Sequence, residues 1–167
     1  MNAMTAAFTS NSKDGLVTFE MGGEVIAVST RVLREVIEPP RITPVPLADI
    51  HSPGLMNNRG VVLPVADLRP LFGMEPKPFD SDTRIMVMQL DLDAGPLTVG
   101  VIAEMVHAVI TLDAETVQSV PELGSRWPAY SVTGIGRWNG RFVHVVDVER
   151  LFETHLGLGS GHDGDEA

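Results

Sequence analysis

Apolar residues in this chain fall in short runs that glycine or proline interrupts. Most of them are Val, Ile and Leu, which favour strands over helices, and aromatic residues are few. The pattern therefore predicts an all-β fold with one or two short helical turns. The predicted strands are residues 16–21, 24–29, 60–65, 84–90, 98–102, 108–111, 131–138 and 141–146.

Turn residues divide these strands into hairpins. Gly22-Gly23 joins the first two strands, and Asn139-Gly140 lies between the last two. Both dipeptides suit two-residue hairpin turns, because Gly and Asn accept positive φ angles. Residues 38–46, EPPRITPVP, contain four prolines, so we expect an extended connector that cannot pair in a sheet. A second break is expected at residues 75–82.

The chain also repeats itself. Residues 60–72 read GVVLPVADLRPLF, and 80 positions later residues 140–152 read GRFVHVVDVERLF. In each copy an apolar strand runs into an aspartate, after which the pattern becomes helical, so Asp67 and Asp147 are predicted N-caps of short helical turns. A weaker similarity links residues 25–37 to 98–110. Together these repeats predict two similar β subdomains joined near residues 74–83.

Composition narrows the function. The chain has 12 Lys and Arg against 22 Asp and Glu, a formal net charge of −10, and no cysteine. Such an acidic chain lacks the means to neutralise phosphates, so we expect no nucleic-acid partner. No run is long and apolar enough to span a membrane. Residues 1–15 are expected to be a flexible lead-in, and residues 154–167 an acidic, Gly-rich tail.

Candidate chemistry is sparse. The five histidines do not fall in a metal-ligand spacing, and no serine lies in a nucleophile motif. We therefore expect no metal, no cofactor and no enzymatic activity. Two other classes stay open at this point: an enzyme on a small β-barrel scaffold, and a β structural protein that self-associates through its strand edges.

One segment stands out. Residues 54–72 read GLMNNRGVVLPVADLRPLF, in which Arg59 precedes an apolar strand at a glycine-flanked turn. Composition alone favours the interpretation of Arg59 as a solvated turn residue. The segment nevertheless resembles the hallmark of CheW-type chemotaxis coupling proteins, G-V-x-N-L-R-G-x-x-x-P-V-x-D-L-R, and the resemblance extends across residues 16–153.

The resemblance implies a fold of two five-stranded, SH3-like β-barrels around a shared core. It also implies a non-catalytic adaptor that couples the cytoplasmic tip of a methyl-accepting chemoreceptor to the regulatory domain of the CheA histidine kinase. Such a protein would be cytoplasmic, recruited to receptor arrays, and not inserted in the membrane. The output could be flagellar chemotaxis or another chemosensory pathway, such as surface motility or second-messenger control.

Site residues follow from the same resemblance. Arg59 is expected to contact the receptor, and Glu35, in the segment Leu33-Arg34-Glu35-Val36, to pair with it. The remaining partner-binding positions are Leu33, Gly54, Asn57 and Val109. Two residues depart from the family pattern: Asn58 stands where an apolar residue is usual, and Glu104 replaces an Asp.

Overall fold

The computed structural model describes residues 15–46, 52–112 and 131–155. The predicted lead-in up to residue 14 and the tail beyond residue 155 lie outside them. The described residues form eleven strands, a short 3-10 helix at Arg69–Phe72, and one α-helix, α1, at Val148–His155. The strands are β1 Leu16–Met21, β2 Glu24–Ser29, β3 Leu33–Ile37, β4 Ile42–Thr43, β5 Gly54–Asn58, β6 Val61–Ala66, β7 Arg84–Leu92, β8 Gly95–Ala103, β9 Met105–Ile110, β10 Val132–Trp138 and β11 Arg141–Val146.

All eight predicted strands are present, three of them with the predicted bounds. Three more, β3, β4 and β5, were not predicted. β3 carries Arg34 and Glu35 between its apolar residues, and β5 ends in two asparagines, so neither shows the dense Val and Ile content of the other strands.

The prediction that residues 38–46 cannot pair in a sheet is wrong at two residues. Ile42 pairs with Met56 and Thr43 with Leu55, which makes β4 a two-residue edge strand. The prolines on either side lack the N–H groups that would extend the pairing, so the strand stays at the edge and stays short.

The strands form two sheets. The first has the order β10-β11-β2-β1-β9, and the second has the order β3-β7-β8-β6-β5-β4. Five positions correspond when the first sheet is read from β9 to β10 and the second from β3 to β5. In each sheet an opening hairpin, β1–β2 or β7–β8, pairs antiparallel with an end strand, β9 or β3. The hairpin's other strand pairs parallel with β11 or β6.

This topology corrects the predicted division into two subdomains at residues 74–83. The repeat is real, but each copy places its opening hairpin in one sheet and its later strands in the other. The reason is that β3 pairs with β7, beyond the break, instead of with its own hairpin. The break is therefore a boundary between repeats and not between sheets.

Apolar side chains pack in three clusters that follow this arrangement. One lies inside the first sheet and includes Leu16 and Val143, and another lies inside the second and includes Met56 and Ile85. The largest joins both sheets to α1, whose Phe152 is fully buried. Two barrel-like sheets thus pack around a shared core, as expected.

Both repeats end in the predicted helical turn, but the two aspartates act differently. Asp147 Oδ1 accepts the N–H of Arg150 at 3.1 Å, the hydrogen bond expected of an N-cap. The N-cap prediction for Asp67 is wrong, because Leu68 holds the N-cap position of the 3-10 helix and makes no capping bond with its side chain. Asp67 lies one residue earlier and accepts the N–H of Arg69 instead. Gly73 ends this helix with a φ of 71°.

Candidate partner-binding site

The β5–β6 turn presents Arg59 to solvent. Asn58 pairs with Val61, which leaves Arg59 and Gly60 as the two turn residues, with φ angles of 55° and 86°. Positive φ at both positions is the geometry of a type I′ turn, in which arginine is an uncommon choice. The Arg59 side chain is 79% exposed.

An ion pair holds this exposed side chain. Arg59 Nη2 lies 3.0 Å from Oε1 of Glu35, whose own side chain is only 23% exposed. The second carboxylate oxygen, Oε2, accepts a 2.9 Å hydrogen bond from Nδ2 of Asn58. Glu35 is therefore held at both oxygens by two consecutive residues at the end of the β5–β6 hairpin.

This contact also joins distant parts of the second sheet. Glu35 lies on β3 at one end of the strand order, whereas Asn58 lies on β5 near the other end. On the same strand, Leu33 packs against the shared core and Val36 is 38% exposed. Arg34 donates a hydrogen bond to Gln89 of β7.

Gly54 and Asn57 have structural roles beside this pair. A Cβ atom at Gly54 would collide with the backbone oxygen of Thr43, so only glycine allows β4 to approach β5 here. Asn57 Oδ1 accepts the N–H of Gly60 at 2.9 Å and so closes the turn. Both residues therefore shape the hairpin that presents Arg59.

Val109 lies on the other sheet. It is part of β9, pairs with Val17 of β1, and is 65% exposed. Val36, which lies 73 residues earlier, is on β3, the corresponding end strand of the second sheet. The structure thus brings Glu35 and Arg59 into contact, places Leu33 on the same strand, and leaves Val109 on a separate sheet.

The first sheet has its own contact between end strands, of different chemistry. The rings of His107 on β9 and Trp138 on β10 lie 5.3 Å apart. His107 and Arg141 both contact Oε2 of Glu20, each at 2.7 Å. Burial raises the pKa of Glu20, but the hydrogen bonds and charge attraction of Arg141 and His107 outweigh it and hold the pKa below its ordinary value.

A buried charge network joins the segment after β6 to the residue between β8 and β9. The Arg69 side chain is 3% exposed and lies 2.9 Å from Asp67 and 3.1 Å from Glu104. Burial lowers the pKa of Arg69, but the hydrogen bonds and attraction of the two carboxylates raise it above its ordinary value. Glu104 Oε1 also accepts the N–H of Gly22, which ties the network to the first sheet.

An apolar strip covers the outer face of the hairpin. Val62 is 62% exposed and Leu55 is 38% exposed, and strand alternation places both on the same face. They line a shallow groove of about 380 Å³ together with Arg41. Exposed valine and leucine side chains at neighbouring positions are typical of a surface that another protein covers.

Sequence reasoning missed two features. Asn58 was identified only as a departure from the family pattern, because no local signal showed that its partner would be Glu35. The Arg69 network was missed as well, although Asp and Arg two residues apart gave a signal. A charged residue after a turn normally faces water, and only the packing of the two sheets buries this one.

The geometry of this site is suited to contact with a partner. Of the five N–H donors in the Arg59 guanidinium, those not directed at Glu35 can take an acceptor from a partner. Nowhere in residues 15–46, 52–112 and 131–155 do three His, Asp or Glu side chains come together as metal ligands. Over the same ranges, no helix has the length and apolar character needed to cross a membrane.

Several known proteins are similar to this chain over most of its length. A chemotaxis protein CheW of Klebsiella aerogenes is 27% identical over 136 residues, covering 81% of this chain and 80% of that protein. The Bacillus subtilis CheW is 25% identical and covers 90% of this chain and 92% of its own. The crystal structure of the scaffolding protein TtCheW from Thermoanaerobacter tengcongensis superposes with a TM-score of 0.72 at 26% identity, covering 84% of this chain and 88% of that one.

A shorter match points to a differently named relative. Protein PilI of Pseudomonas aeruginosa is 34% identical, but over 80 residues that cover 47% of this chain and 45% of PilI. The sequence model of the CheW-like domain matches residues 15–155, which spans both sheets and α1. The chain therefore belongs to the CheW-like domain family.

Proposed function

We propose that this protein is a chemotaxis adaptor that couples a methyl-accepting chemoreceptor to a CheA-type histidine kinase. It acts without catalysis, in the cytoplasm, where it joins receptor arrays. The proposal is supported by relatives of nearly full length that are named chemotaxis protein CheW, and by the similar crystal structure, which is that of a scaffolding protein. The match to PilI covers less than half of each chain and does not favour another pathway.

The observation that carries the proposal is the oriented, exposed guanidinium of Arg59. An ion pair this exposed stabilises a fold by only about 0–1 kcal/mol, so folding alone does not explain it. A guanidinium already held by Glu35 loses less conformational entropy when a partner docks, and arginine is common among the residues that dominate protein interfaces. We assign this surface to the receptor.

Arg59→Ala tests the receptor contact. We expect the variant to fold and to lose about 2 kcal/mol or more of binding free energy for a receptor signalling fragment. The matched control is Arg137→Ala, which removes an exposed arginine from the equivalent β10–β11 hairpin, where its guanidinium lies over the ring of Phe142. Isothermal titration calorimetry of both variants with the receptor fragment measures the two affinities. Unchanged binding of Arg59→Ala would contradict the assignment.

A coupling protein needs a second surface, and the strip formed by Leu55 and Val62 meets this need. It lies on the same hairpin as Arg59, but its groove is apolar, with Arg41 at its rim. Exposed apolar side chains suit a folded protein domain, since their burial contributes about 25 cal/mol per Å². We assign this strip to the kinase regulatory domain.

Val62→Glu separates the two contacts. A charge in the strip should weaken binding of a CheA regulatory fragment at least tenfold, because the carboxylate would lose its hydration when the partner docks, and Arg41 at the rim would offset only part of that cost. Binding of the receptor fragment through Arg59 should persist. If Val62→Glu lost the receptor and kept the kinase, the assignment of the two surfaces would be reversed.

A further inference from the structure

The carboxylate of Glu35 depends on Asn58 as well as on Arg59. Arg59 Nη2 lies 3.0 Å from Oε1, and Asn58 Nδ2 donates a 2.9 Å hydrogen bond to Oε2. A carboxylate bonded at one oxygen can turn about its terminal torsion, which is broad and soft. A second bond at the other oxygen fixes the plane of the group, and with it the direction in which Oε1 receives the guanidinium.

The exposure of the three side chains shows why this matters for Arg59. Its guanidinium is 79% exposed, so little protein packs against it, and its ordering depends on Glu35. Glu35 and Asn58 are both half-buried. The ordering of Arg59 therefore comes from the Glu35 carboxylate, which the half-buried Asn58 side chain holds in place.

The equivalent hairpin shows that the fold does not need a polar residue at this position. Trp138, 80 residues after Asn58, ends β10 as Asn58 ends β5, and it makes its contact to the opposite end strand through an aromatic ring. An apolar side chain therefore serves the hairpin equally well. The carboxamide of Asn58 adds a hydrogen-bond donor that the hairpin itself does not use.

We infer that Asn58 is a positioning residue, which fixes the Glu35 carboxylate and thereby the direction of the Arg59 guanidinium toward the partner. This inference rests on the proposed function for its effect on binding, but the ordering of Arg59 is a property of the free protein. The two can therefore be tested apart.

The first measurement needs no partner. In wild-type protein the Nε–Hε signal of Arg59 should give a heteronuclear NOE close to that of the ordered backbone. Asn58→Leu, which has nearly the same size and no donor, should lower it toward the value of a free surface arginine. Asn58→Ala serves if the Leu variant misfolds, and Asn58→Gln, which keeps the donor, should retain part of the ordering.

The second measurement is a cycle of binding constants for the receptor fragment. Asn58→Leu should weaken binding about 3- to 10-fold, the effect of losing order in one long side chain. In a Glu35→Gln background the same substitution should change binding less than about 2-fold, because Asn58 acts through the Glu35 carboxylate.

The outcomes separate the two ideas. If Asn58→Leu leaves the Arg59 signal unchanged, or if its effect on binding is the same with and without the Glu35 carboxylate, the inference is wrong. If the Arg59 signal loses order while Arg59→Ala binds the receptor fragment normally, Asn58 positions Arg59 as inferred and the proposed function fails.

Discussion

The two hairpins that end the repeats, β5–β6 and β10–β11, share a backbone and differ in what they carry. Arg59 and Asn139 occupy the same turn position, with φ angles of 55° and 53°, and a glycine follows each. Asparagine tolerates this conformation, whereas arginine holds it at a cost of roughly 1 kcal/mol or more. The β10–β11 turn is thus suited to folding, and the β5–β6 turn accepts strain in order to present a guanidinium.

The helical turns after the hairpins differ in the same way. Arg69 lies 80 residues before Glu149 and is buried between two carboxylates, whereas Glu149 lies near the surface, pairs with Arg31 and accepts the N–H of Asp91. The helical turn of the first repeat therefore has a buried charged side chain, whereas that of the second repeat has one near the surface. The consequences for stability should differ widely.

The largest expected effect comes from this contrast. Arg69→Ala leaves Asp67 buried without its cation and leaves Glu104 with only the exposed Lys77, 3.6 Å away, so we expect the free energy of unfolding to fall by about 3–5 kcal/mol. Glu149→Ala, at the equivalent position, should cost about 1 kcal/mol. Urea unfolding of both variants checks the pair, and similar losses would show that the buried network is not what distinguishes the repeats.

Exchanging the turn residues gives the next effect. Arg59→Asn and Arg59→Ala both lose the Glu35 ion pair, but only Asn relieves the backbone, so Arg59→Asn should be more stable by about 1 kcal/mol. Asn139→Arg should be destabilised by a similar amount relative to wild type. Both Arg59 variants should lose about 2 kcal/mol or more of binding free energy for the receptor fragment. Equal stabilities of Arg59→Asn and Arg59→Ala would show that the turn stores no strain.

These contrasts show which features could be predicted from the sequence. Turn chemistry is local, so Gly22-Gly23 and Asn139-Gly140 were predicted correctly, and both have positive φ angles in the structure. The repeat was also visible, because it preserves residue types in register. Arg59 and Glu35 were chosen through the family resemblance, and the structure places them in contact.

The features that could not be predicted depend on long-range pairing. Whether β3 joins its own hairpin or β7 is decided by the packing of whole sheets, and no local pattern in residues 33–37 indicates the partner. The burial of Arg69 likewise arises only when both sheets meet. The Asn58 bond to Glu35 spans 23 residues between strands that are not neighbours in the sheet.

The smallest expected effect concerns the end-strand contact of the first sheet and its response to acid. Because the pKa of folded Glu20 lies below its ordinary value, the unfolded chain binds a proton more readily there. The contact therefore contributes stability above the ordinary pKa, and this contribution is lost as the pH falls through the folded value. The glutamate is partly exposed, so solvent screening keeps the contribution below about 1 kcal/mol.

Glu20→Gln measures this contribution directly. The variant should be less stable than wild type at pH 7, and the difference should narrow as the pH falls below about 4.5. Arg141→Met should also be less stable than wild type at pH 7, and this difference should likewise narrow below about pH 4.5, since Arg141 is the larger favourable influence on the carboxylate. Neither substitution should change receptor binding. The ionic contact of the first sheet holds its end strands together, whereas the ionic contact of the second sheet orients Arg59. A stability difference that stays constant from pH 7 to pH 3 would contradict the role given to Glu20.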